Sequence, residues 1–99
     1  MSSEINKGAI GVTELLDNIP GIDKLITEKK TIPESKEGWG GLEFKLKSKG
    51  TIFKHSIFLN FNDLYDVTAN GRVIKNMLVG EVHQLLTWVV AWEDYKEEE

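Results

Sequence analysis

From Leu42 to Lys47 apolar and polar residues alternate without a fault, and after Ser48-Lys49-Gly50-Thr51 the alternation resumes through Phe53, His55, Ile57, Leu59 and Phe61. A period of two marks a strand with one dry face and one wet face. The intervening tetrapeptide suits a two-residue hairpin turn. With Ser48 opposite Thr51, Leu46 faces Phe53, Phe44 faces His55 and Leu42 faces Ile57. All of these share one face, and a slip of a single residue would turn every one of them to water. The reverse face takes Glu43, Lys45, Lys47, Ile52, Lys54, Ser56 and Phe58.

A second hairpin follows at Asn70-Gly71, a pair that accepts the positive φ angles of a type I′ turn. Placing Ala69 opposite Arg72 brings Val67 to Ile74, Asp66 to Lys75 and Leu64 to Met77. An Asp66–Lys75 cross-strand ion pair would contribute a few tenths to about 1 kcal/mol. Four antiparallel strands are thus expected, near 42–48, 51–60, 64–69 and 72–79. Consecutive strands usually neighbour one another, which makes the sheet a meander.

The flanks read as helical. Val12, Leu15, Leu16, Ile19, Ile22, Leu25 and Ile26 recur at threes and fours. Pro20-Gly21 interrupts them, so two short helices are expected, over 13–19 with Thr13 as N-cap and over 22–29. Residues 31–41 read as a loop, and its Gly38-Trp39-Gly40-Gly41 lacks the Lys-Ser/Thr ending and following helix of a phosphate-binding loop. Gly80 ends the sheet. Val82, Leu85, Leu86, Val89 and Trp92 then fit one side of an amphipathic helix lying on one sheet face, although Trp88-Val89-Val90 would also suit a strand. The fold class is α+β, with loose ends expected over about 1–8 and 96–99.

Ninety-nine residues allow one domain. The absence of cysteine removes disulfides, thiolate nucleophiles and zinc–thiolate sites. The longest apolar run, Trp88 to Trp92, falls far short of the roughly 20 residues that cross a bilayer. The polar N-terminus lacks a signal-peptide core, so a cytoplasmic protein without membrane association is expected. Eleven lysines against the single Arg72 point to an A/T-rich coding genome, such as that of a low-GC bacterium or its phage.

Two surfaces stand out. Trp88, Trp92 and Tyr95 gather on one side of the C-terminal helix, where they either cover the N-terminal helices or present a surface for a protein partner or a second copy. Trp39 is a further candidate contact, or else folds back onto the core. Lys45, Lys47 and Lys54, with Lys49 at the hairpin tip, form a basic face that is a solvated surface or a site for anions or nucleic acid. The net charge of −4 and the lack of arginine there argue against nucleic acid. The acidic end, Glu97-Glu98-Glu99, is a solvated tail or folds against those lysines.

His55 and His83 come from different elements without carboxylates at metal-ligand spacing, so no metal is expected. No nucleophile–base arrangement and no cofactor fingerprint appears. The expected function is therefore a small non-enzymatic interaction protein (a regulator, inhibitor or assembly factor), with a nucleic-acid- or anion-binding module using the lysine-rich sheet face, or a structural subunit of a larger particle, as alternatives.

Overall fold

The computed structural model describes residues 6–94. Helix α1 (Lys7–Asp17) leads through a 3-10 turn (Ile22–Lys24) into five strands: β1 (Ile26–Ile32), β2 (Gly38–Ser48), β3 (Thr51–Asn60), β4 (Tyr65–Ala69) and β5 (Arg72–Met77). Helix α2 (Val79–Asp94) closes the described chain. The strands form one antiparallel sheet in the order β1-β2-β3-β4-β5, a meander.

The first hairpin has the register that alternation dictates, with Ser48 opposite Thr51, Leu46 opposite Phe53 and Phe44 opposite His55. Lys49 and Gly50 both take positive φ, 51° and 83°, and Asn70 and Gly71 do the same at 54° and 89°. That backbone twist matches the twist of paired strands. Phe44, Leu46, Ile57 and Val67 are buried on the face that α1 and α2 cover, together with Val12, Leu15, Leu16, Val82 and Leu86.

The N-terminal region departs from its sequence pattern. There is one α-helix, and it starts at Lys7 instead of at Thr13. Its N-cap is Asn6, whose Oδ1 accepts the Ala9 N–H at 2.7 Å while its Nδ2 donates to the Ile32 carbonyl at 3.0 Å. Two glycines hid this first turn, because glycine weakens a helix. They are there for contact: a Cβ on Gly8 would meet the Gly40 carbonyl, and one on Gly11 would lie 2.7 Å from the Tyr65 hydroxyl.

The helix expected over 22–29 is instead the 3-10 turn and a fifth strand. Gly21, at φ 89°, turns the chain, and β1 then pairs with the free edge of β2. Thr27 pairs with Lys45 and Lys30 with Glu43, so β1 carries one extra residue, and Glu28 in this bulge has φ 55°. The bulge breaks the alternation that would have marked a strand. The expected loop shrinks as well, because β2 begins at Gly38 and takes in Trp39.

A second bulge corrects the last hairpin. Ala69–Arg72 and Val67–Ile74 pair as expected, but Met77 stands opposite Tyr65, not Leu64. Asn76 takes φ 62°, and its N–H donates to Asp66 Oδ1 at 3.0 Å. Asn60 Nδ2 donates to the same oxygen and to Asn76 Oδ1, while Asn60 Oδ1 accepts the N–H groups of Asn62 and Leu64. Asp66 is thus held by amides, and no Asp66–Lys75 ion pair forms. Phe61, expected in the buried row, lies beyond the end of β3 and is 51% exposed.

The C-terminal segment is helical and starts at Val79, with Gly80 in its first turn. Glu81 Oε1 accepts the Leu78 N–H at 2.8 Å, half of a capping box. Among the described residues no helix is long and apolar enough to cross a membrane.

Candidate functional site

Both hairpin turns lie at the same end of the sheet. There the dry face is only partly roofed, because α1 sits over the opposite end, where Gly8 meets Gly40. Helix α2 buries Val82 and Leu86 and leaves a groove between its second half and the strands. The groove has a volume of about 430 Å³. Leu46, Phe53, His55 and Ala69 line it from the sheet, and Leu85, Trp88, Val89 and Trp92 from the helix.

Trp88 is 67% exposed and Trp92 44%. They do not cover the N-terminal region. The helix approaches it through Val90, whose Cγ1 would lie 3.2 Å from a Cβ at Gly21. The indoles form a ridge between the groove and a second hollow of about 470 Å³ on the far side, bordered by Gln84, Thr87 and Ala91. Lys49 Nζ stands 5.3 Å from the Trp92 ring centroid, a cation–π contact that ties the hairpin tip to the helix. Tyr95, the third member of the expected aromatic group, lies outside the described residues, as do Glu97, Glu98 and Glu99.

Trp39 belongs to a separate cluster at the other end of β2. Its ring meets Phe61 edge-on at 4.9 Å, and Lys7 Nζ lies 4.6 Å from its centroid. It is half-buried at the surface and contributes nothing to the groove.

The lysine face is divided. Lys45 and Lys54 stand directly opposite each other, and each turns to an acid: Lys45 to Glu28 at 3.2 Å and Lys54 to Glu43 at 2.6 Å. The hydrogen bond from Lys54 holds the Glu43 carboxyl below its ordinary value and raises the Lys54 ammonium above its own. With Lys49 reaching to Trp92, the four lysines do not converge on one point.

The groove holds few chemical groups. His55 stacks on Phe44 at 5.8 Å, and burial pushes its imidazole below the ordinary range, which favours the neutral ring. Ser48 also borders the groove, with no hydrogen bond to His55. The other histidine, His83, has its Nε2 3.3 Å from the Asn18 carbonyl. Among the described residues no three His, Asp or Glu side chains gather as metal ligands would. The Tyr65 phenol is raised first by burial and then by the charges of Glu14 and Asp63. The groove lining is therefore mostly apolar and aromatic, with Ser48, His55 and Asn70 as its polar members.

No protein family, curated relative or solved structure matches this chain.

Proposed function

We propose that this chain is a small non-enzymatic interaction module that binds a protein segment in the groove between α2 and the hairpin end of the sheet. The observation that carries this reading is the position of Trp88, 67% exposed on the rim of an apolar groove. A large indole left in water forgoes the stabilisation that its burial would bring. Tryptophan is also, with tyrosine and arginine, enriched among side chains that dominate binding energy. A groove of about 430 Å³ has room for one or two large side chains of a partner. The paired state of Lys45 and Lys54 gives less support to an anion-binding reading.

Selection from a displayed peptide library tests it. Ligands should emerge whose binding is lost with Trp88→Ala and whose addition perturbs the NMR signals of Phe53, His55 and Val89. Failure to find any Trp88-dependent ligand, together with no Trp88-dependent self-association, would overturn the proposal.

A further inference from the structure

We propose that the hollow between α1 and the start of α2 binds a primary alkylammonium group. This hollow has a volume of about 400 Å³ and shares no lining residue with the groove of the interaction reading, from which it is independent.

Tyr65 is the observation that points to a ligand. It is 7% exposed, and its ring belongs to the core. Its hydroxyl has no hydrogen-bond partner among the described residues, yet it is not sealed off, and the residue lines the hollow. A buried tyrosine ordinarily finds a partner for this group. Gly11 stands beside it on α1, where a β-carbon would lie 2.7 Å from the Tyr65 oxygen. The missing side chain leaves room next to the hydroxyl.

Charge and hydrogen-bonding capacity select the ligand. Glu14 lines the hollow, is exposed, and forms no ion pair among the described residues. No lysine or arginine lines it. After burial, the charges of Glu14 and Asp63 raise the Tyr65 phenol, so the charges felt at the hydroxyl are negative. The neighbouring polar groups offer acceptors. His83 Nε2 lies 3.3 Å from the Asn18 carbonyl, which can only accept, so Nε2 carries the proton and Nδ1 is left as an acceptor. Asn18 Nδ2 donates to the Glu14 carbonyl at 2.9 Å, and its Oδ1 has no donor among the described residues. An ammonium brings three N–H donors and a positive charge to this set, and Leu15 and Val79 supply apolar sides for its alkyl stem. The first N–H groups of α2 would favour an anion. Glu81 already stands at that terminus, accepting the Leu78 N–H at 2.8 Å, and Glu14 repels a second negative charge.

Titration of the full chain with n-butylamine at neutral pH, followed by amide NMR, gives the test. Saturable shifts of the Gly11, Tyr65 and Gly80 signals are expected at millimolar ligand. Tyr65→Phe keeps the buried ring, and Glu14→Gln changes an exposed side chain. Each should weaken binding about tenfold or more, the loss of one hydrogen bond to a charged group. Circular dichroism checks that both variants stay folded. Tetramethylammonium, which has no N–H, should bind at least about tenfold more weakly, and acetate should not bind. Nα-acetyl-lysine N-methylamide separates the sources of the group: binding equal to that of butylamine supports a lysine side chain of a protein, and weaker binding supports a free amine. Shifts that never saturate, binding indifferent to both variants, or acetate bound in place of the amine would each overturn the proposal.

Discussion

Gly8 on α1 and Gly40 on β2 approach so closely that a β-carbon on Gly8 would fall 1.7 Å from the Gly40 carbonyl oxygen. The obstacle is backbone, which cannot swing aside as a flexible side chain could. Gly8→Ala should therefore lower stability by about 1–3 kcal/mol, the range for overpacking, even though alanine is the better helix former by up to about 1 kcal/mol. Urea denaturation measures it. A gain in stability would mean that α1 does not rest on β2 at this point.

Asn60 organises the turn into β4 and the bulge in β5 with a single amide. It is 8% exposed, its oxygen accepts two backbone N–H groups, and its nitrogen serves Asp66 and Asn76. Asn60→Ala leaves these groups without their partner, at a cost of about 1–3 kcal/mol for a buried polar group left unsatisfied. Hydrogen exchange at Asn62, Leu64 and Asn76 should accelerate more than at Phe44, since the damage is local to the bulged end.

His55 makes stability depend on pH. Burial holds its folded pKa below the ordinary 6.5. The unfolded chain therefore binds its proton first on acidification. The stability that comes from a neutral His55 is complete above about pH 6.5 and is lost as pH falls through the folded value. Urea midpoints taken between about pH 7.5 and pH 5 should fall in the native protein and fall less in His55→Gln, the variant whose side chain does not titrate there.

The lysine face should behave as a masked cationic surface. With Lys45 held by Glu28 and Lys54 by Glu43, the native chain should elute from immobilised heparin near the void at moderate salt. The double variant Glu28→Ala/Glu43→Ala should be retained, and its retention should fall steeply as salt rises. Equal retention of the two proteins would show that the acids do not shield the lysines.

The sheet was legible where the local code was sufficient. Leu42 to Phe53 carries its own register because alternation and a turn with two positive φ angles specify the same pairing. Strand β1 was not legible. Ile22, Leu25 and Ile26 have helical spacing, and the residue that breaks the strand pattern, Glu28, gives no local sign of adopting φ 55°. Its conformation is set by pairing with β2, a tertiary effect that overrides weak local preference. The slip at Asn76 has the same character, since it depends on Asn60 and Asp66 from other strands.

Of the candidate site, the tryptophans announced themselves by type and spacing. The groove they border did not, because its floor comes from three strands and exists only where α2 leaves the sheet uncovered. Phe53 and His55 belong to the dry face of the alternation, and that is the available clue. A core face longer than the helices that cover it must end in an open floor.

The two irregular strands have a consequence beyond this chain's own pairing. Both borders of the sheet are kinked, β1 at Glu28 and β5 at Asn76, and both carry cations there, Lys29 and Lys30 on one, Arg72 and Lys75 on the other. A neighbour seeking to extend the ladder would find neither a straight hydrogen-bonding row nor a neutral one. Crowded molecules of this protein are thereby hindered from joining border to border into open-ended fibres.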